Sequence, residues 1–358
     1  MADTSSALGH RWHVGLALAA LVAGAMMDAG GCGRPAGQLF PPVADAPRWP
    51  PPPEEPRIRY LGQLATSDDL KAAQSFGDVL ARTVFGKGDV HTMLSPYALC
   101  TDGQDRLFVA DSNAQCVHVF NLKTRAYAEW RPAKADKGFS QPVGIAYDPA
   151  GRLLVADSVA GVLFAFDTQG KPLGGLGAGL LRRPCGVAVD PASRRVYVAD
   201  TGAHQVVVLS PEGALVSRLG ERGSELGQFN YPTNVAVDRL GRLYVSDALN
   251  SRVQLFDADL KPLRQIGRKG DMPGTFSQPR GLAVDRDNHL YVIDIHFEAI
   301  QIFDDKGVLL LTLGNEGHEP GEFWMPTGLF IDPQSRIWVA DSYNRRVQVL
   351  EYLPEELP

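Results

Sequence analysis

The stretch Pro232–Gly267, PTNVAVDRLGRLYVSDALNSRVQLFDADLKPLRQIG, decides the fold. It holds four short apolar runs: Val235–Val237, Leu243–Val245, Val253–Phe256 and Leu263–Ile266. Asp238 and Gly241, Asp247 and Asn250, and Asp257 and Asp259 separate them. Short apolar runs bounded by Gly, Asp and Asn have the pattern of β-strands joined by tight turns. One such meander cannot bury both of its faces, so its recurrence along the chain becomes the question.

It recurs from Pro96 onward. The copies begin at Pro96 (PYALCTD), Pro142 (PVGIAYD), Pro184 (PCGVAVD), Pro232 (PTNVAVD), Pro279 (PRGLAVD) and Pro326 (PTGLFID), spaced 46, 42, 48, 47 and 47 residues apart. Each has a second strand ending in Asp, at Asp111, Asp157, Asp200, Asp247, Asp294 and Asp341. Six repeats of a four-stranded unit predict an all-β, six-bladed β-propeller. The sixth repeat stops after its third strand, at Leu350, while Arg57–Gly62 (RIRYLG) reads like the fourth strands Leu263–Gly267 and Leu215–Gly220. We therefore expect the N-terminal strand to close blade 6 from outside, so that the chain ends latch each other.

The repeats resemble the NHL-repeat family. The Pro-x-Gly starts, the Tyr-Val-x-Asp strands and the Asn-x-Arg-Val turns at Asn250–Val253 and Asn344–Val347 carry the likeness. So do the linking loops Gly220…Gly227-Gln228-Phe229, Gly267…Gly274-Thr275-Phe276 and Gly314…Gly321-Glu322-Phe323. The resemblance implies either a non-catalytic interaction scaffold or a metal-dependent lyase or hydrolase acting at the channel mouth. Some six-bladed relatives are peptidyl amidating lyases that hold zinc with histidines, and others are lactonases with a divalent metal in the channel. Animal relatives bind RNA or sit on ubiquitin-ligase chains. Here the net charge of -6 and the lack of a RING or B-box cysteine array argue against nucleic acid and ligase roles.

Ahead of the propeller, residues 1–31 read as a lipoprotein-type signal peptide. Its apolar run Val14–Met27 is too short to span a membrane as a helix. Ala29-Gly30-Gly31-Cys32 resembles a bacterial lipobox, which makes Cys32 the expected lipidation site and implies export and anchoring, in the outer membrane by preference. Residues 32–56, with Pro50–Pro53 at their centre, are expected to be a Pro-rich spacer, and residues 57–358 the propeller. Between blade 6 and blade 1 there are 33 residues from Gly62 to Pro96, where blades 4, 5 and 6 are preceded by 11 and blade 3 by 6. Leu70, Ala73, Phe76, Leu80 and Val84 recur there near helical spacing, so an amphipathic helix over 67–85 is expected, N-capped by Ser67.

In such blades the fourth-to-first and second-to-third loops share one face, here called the top. The residues after each Pro should ring the channel mouth: Tyr97, Val143, Cys185, Thr233, Arg280 and Thr327. The second-to-third loop of blade 5 adds His296, Phe297 and Glu298, with Phe297 where Asn would stand. Together these form the expected face for an envelope protein, peptide or glycan. No cofactor is expected. Were a divalent metal bound, His91, His296 and His318 on the loops of neighbouring blades would be its candidate ligands. The recurring Asp residues are expected to accept turn N–H groups, with Arg252 and Arg346 bracing Asp247 and Asp341. Cys100 is expected to be a small buried residue, and a disulfide between Cys116 and Cys185 is not expected because blades 1 and 3 are not adjacent.

Overall fold

A computed structural model describes residues 38–71, 90–133 and 138–353. The inner strands Pro96–Thr101, Pro142–Asp148, Pro184–Val189, Pro232–Val237, Pro279–Val284 and Pro326–Ile331 each lie beside the next, and the last lies beside the first. Each begins an antiparallel sheet, and six sheets close the propeller. Second strands such as Leu243–Asp247 are buried along their whole length, because both faces of the blade pack on neighbouring blades. Outer strands such as Pro262–Ile266 are exposed except at Ile266, which explains their mixed polarity.

The repeat signature has local physical causes. A Cβ at Gly328 would lie 2.6 Å from the Tyr97 carbonyl oxygen of blade 1, and one at Gly144 would collide with the Cys185 carbonyl oxygen of blade 3. The Gly of Pro-x-Gly thus lets adjacent inner strands converge around the channel. In the linking loops, Gly220, Gly267 and Gly314 take φ of 82°, 73° and 86°, and the rings of Phe229, Phe276 and Phe323 lie directly over them. A side chain there would meet backbone strain and a buried ring together.

Blade 6 is closed as expected. Ile58–Leu64 pairs antiparallel with Arg346–Tyr352, from Ile58 opposite Tyr352 to Leu64 opposite Val347. The closing strand also completes the blade's polar set, because Gln63 Oε1 accepts from Arg346 Nη1 at 3.0 Å, as Gln265 Oε1 does from Arg252 Nη1 in blade 4.

Two expectations about the N-terminal region change. The Pro-rich segment is not a free spacer over its described part. Arg48–Trp49 adds a fifth strand to blade 6, and the Arg57 and Tyr60 N–H groups donate to the Trp49 and Pro47 carbonyls at 2.7 and 2.9 Å. Phe40 packs on Gly62 and sets its ring edge-on to Trp338, and Trp49 packs on Gly321. Proline removes backbone donors but leaves these aromatic rings free to find glycine-floored hollows. The expected helix also differs. Among the described residues there is no α-helix: Thr66, not Ser67, is the cap, and a capping box with Asp69 starts a 3-10 turn over Ser67–Leu70. Lys71 is extended and ends that turn. Leu70 is buried, whereas Ala73, Phe76, Leu80 and Val84 lie outside the described residues, as does Cys32.

Candidate functional site

The aspartate that ends each second strand holds the top face together. Its carboxylate accepts backbone N–H groups just ahead of its own blade's Pro, as from Leu94 and Ser95 to Asp111, Ser140 and Gln141 to Asp157, and Arg182 and Arg183 to Asp200. Asp247 takes Asn230, Asp294 takes Ser277 and Gln278, and Asp341 takes Trp324. As expected, Arg252 Nε donates to Asp247 and Arg346 Nε to Asp341, both at 2.8 Å. These bonds fix the loops around the mouth of the central channel.

The channel is a cavity of ≈ 300 Å³ walled by the inner strands of all six blades. Tyr97, Val143, Thr233, Arg280 and Thr327 line it, and Gly186 does so beside Cys185. Thr327 is buried, and its hydroxyl donates to the Tyr97 carbonyl at 2.8 Å, so it laces blade 6 to blade 1. Arg280 reaches from blade 5 past blade 6, where its Nη1 donates to the Tyr97 hydroxyl at 2.7 Å. Its buried Nε has no hydrogen-bond partner among the described residues. Burial pushes the Tyr97 phenol above its ordinary value, and the Arg280 charge opposes that. Burial likewise raises the Cys185 thiol, against the Thr201 hydroxyl and the Arg183 and Arg280 charges. The mouth therefore offers the Arg280 guanidinium, the Tyr97 phenol and the Cys185 thiol.

Around it stands a rim of exposed apolar residues: Leu94, Val159, Tyr231, Leu249, Trp324 and Tyr343. Trp324 and Tyr343 have ring centroids 5.4 Å apart, and the Tyr343 N–H donates to the Trp324 carbonyl at 3.1 Å. Reading the sequence through Phe297 missed this pair. Phe297 itself is only half-exposed, while Trp324 precedes the blade 6 Pro by two residues and Tyr343 occupies the second-to-third loop. Glu298 faces inward to accept the Met325 N–H at 2.6 Å, and burial raises its carboxyl above the ordinary value.

The candidate histidines are not brought together. His91 Nδ1 meets Glu129 at 2.9 Å, His296 Nε2 meets Gln278 at 3.0 Å, and His318 Nδ1 meets Asn344 at 2.5 Å. Among the described residues, the groups with metal-ligating atoms within 4.8 Å of one another are Cys116–His118–Glu129 and Asp285–Asp287–His289. The latter is a turn in which Asp285 accepts the backbone N–H groups of Asp287 and His289. The former lies in blade 1. The cysteines Cys100, Cys116 and Cys185 are all free, and Cys100 is buried.

The NHL repeat profile matches residues 181–209, 229–256 and 323–350, which fall in blades 3, 4 and 6. No curated protein matches the chain. Among solved structures it is similar to virginiamycin B lyase from Staphylococcus aureus, with 13% identity and a TM-score of 0.55, over 73% of this chain and 96% of that one. An auxiliary nutrient binding protein from Bacteroides thetaiotaomicron has 12% identity and a TM-score of 0.57, over 73% of this chain and 69% of that one. A structural genomics protein of unknown function from the same species has 14% identity and a TM-score of 0.60, over 73% and 70%. Likeness at these identities speaks to the fold, and function has to be argued from the site.

Proposed function

This chain is an NHL-repeat six-bladed β-propeller, and we propose that it is a binding protein that takes an envelope peptide, protein or glycan on its top face. The observation that carries the reading is Arg280 at the channel mouth, tied to Tyr97 but with its Nε unpartnered among the described residues. An anionic or carbonyl oxygen of a ligand would complete it. The exposed rings of Tyr231, Trp324 and Tyr343 would receive an apolar or ring face. Rigid aromatics beside an arginine are the residue types that dominate binding energies at interfaces. The metal-dependent lyase reading asks His91, His296 and His318 to converge, and their separate pairings favour the binding protein instead.

Export and lipidation at Cys32 fit this role. Labelling with a radioactive fatty acid tests the anchor: it should mark the wild type and not Cys32→Ser.

Binding of the purified protein to arrays of envelope glycans and peptides tests the face. A ligand retained by the wild type should be weakened roughly tenfold or more by Arg280→Ala and by the Trp324→Ala/Tyr343→Ala pair. Full retention by both variants would move the search to the sides or the bottom.

A further inference from the structure

In blades 4 and 6 the buried aspartate at the end of the second strand sits in one quartet. Asp247, Arg252, Gln254 and Gln265 form it in blade 4, and Asp341, Arg346, Gln348 and Gln63 in blade 6. Ladder register defines the positions. Arg252 lies opposite Asp247, and Gln254 opposite Gln265. The same register in blade 1 sets Cys116 opposite Asp111 and His118 opposite Glu129. The aspartate is kept, and the other three positions change together from Arg, Gln, Gln to Cys, His, Glu. All three replacements are metal-ligand types.

The neighbourhood is arranged accordingly. Cys116 Sγ and Asp111 Oδ2 face the same imidazole nitrogen of His118, Nε2, at 3.6 and 3.2 Å. The other nitrogen, Nδ1, lies 2.6 Å from the Tyr127 hydroxyl, which donates to Glu129 at 3.1 Å. A ligating histidine is commonly fixed in this way through its second nitrogen. Asp111 is already committed to the N–H groups of Leu94, Ser95, Asn113 and Ala114. With no arginine at that position, Arg131 is the guanidinium partner of Glu129, and Asp111 has none among the described residues. His91 faces Glu129 from the segment that leads into blade 1.

We propose that Cys116, His118 and Glu129 bind a divalent cation of the zinc class, putting positive charge where blades 4 and 6 place an arginine. A thiolate, an imidazole and a carboxylate form a donor set suited to zinc, with a fourth position open to water. Binding takes one proton from the thiol: the S–H bond breaks, the sulfur–metal bond forms, and the proton leaves to solvent. Burial, then the Glu129 and Asp111 charges, push the free Cys116 thiol up to about 12, against the Arg131 charge, so the metal must displace that proton.

Cobalt(II) is a visible probe for such a site. Titrated into the metal-stripped full chain, it should give one equivalent of thiolate-to-cobalt charge transfer. Its affinity should rise about tenfold per pH unit, since binding releases the thiol proton. Cys116→Ser should remove the band, and His118→Gln should weaken binding at least tenfold. Cys116→Arg/His118→Gln/Glu129→Gln recreates the quartet of blades 4 and 6, so it should fold and show no band. No thiolate band in the wild type at stoichiometric cobalt, or a band that persists in the triple variant, overturns the proposal.

Discussion

In blade 4 the Asp247 carboxylate meets Arg252 Nε at 2.8 Å and Gln254 Nε2 at 3.1 Å. In blade 1 the Asp111 carboxylate meets His118 Nε2 at 3.2 Å, and Cys116 occupies the arginine position. Both aspartates are fully buried, and both hold the loop ahead of their own blade. In blade 4 a guanidinium balances the buried charge, and its Nη2 donates to the Glu225 and Gln228 carbonyls of the linking loop. The guanidinium offsets part of the cost of burying that charge, whereas Asp157, Asp200 and Asp294 are buried on backbone N–H groups. Blade 1 makes a different choice with side chains that can ligate a cation. The regular blade shows what the aspartate is for. The irregular blade shows where the chain departs from structure toward chemistry.

The strongest test of their common frame removes the closure. Deleting residues 39–64 strips blade 6 of its outer strands and opens the ring. Amide exchange should then accelerate in blades 4 and 1 alike, although neither touches the deletion in sequence. Protection that survives in both would mean the blades stand independently of the latch.

A smaller effect separates the two blades. Arg252→Ala leaves Asp247 buried without its counter-ion and should cost about 3–5 kcal/mol in urea unfolding. Cys116→Ala, measured on metal-free protein, removes one buried sulfur and should cost about 1 kcal/mol. Equal losses would mean that Arg252 is not the compensating charge.

The inner strands give a third, smaller contrast. Blade 1 already carries a Cβ at Ala98, whereas a Cβ at Gly144 in blade 2 would collide with the Cys185 carbonyl oxygen. Gly144→Ala should destabilise by about 1–3 kcal/mol, the usual range for overpacking. A neutral result would show that the strands can part without penalty.

The smallest effect is in acid. For Asp111, burial acts to raise the carboxyl, but the His118 bond and the Ala114, Leu94 and Ser95 N–H groups hold it below its ordinary value. Glu129 is also held low, with burial again opposed by bonds from Arg131, His91 and Tyr127. A carboxyl lowered on folding stabilises the native state above its unfolded value, and that contribution fades as pH falls through the folded one. Stability should therefore decline as pH drops below about 4. Asp111→Asn/Glu129→Gln should flatten part of that decline, and an unchanged acid limb would refute the assignment.

Most of the fold was legible because the marker residues serve local backbone needs that repeat in every blade. Pro, Gly and Asp recur where strands start, converge and turn, so the period, the blade count and the closing strand could all be read. The docked segment was not legible, because its prolines advertise a spacer while the contacts that hold it, Phe40 on Gly62 and Trp49 on Gly321, pair residues that no pattern links. The aromatic pair Trp324–Tyr343 hid for a related reason, since its members sit on two loops joined by one backbone bond. Cys116-Val117-His118 carried a readable signal. Alternate residues of a strand face the same side, so a Cys-x-His in a strand aims both ligands together. The expected ligands were loop histidines, and Glu129 enters only through the ladder register.

The contrast between blades 4 and 1 comes down to one thermal experiment. The full chain and its Cys116→Arg/His118→Gln/Glu129→Gln variant are melted with and without added zinc. A ligand that binds only the native state raises the Tm of the chain that holds it. The account predicts that zinc raises the wild-type Tm and leaves the variant unmoved, with both chains folded cooperatively. Equal shifts in the two chains, or no shift in the wild type, would contradict it.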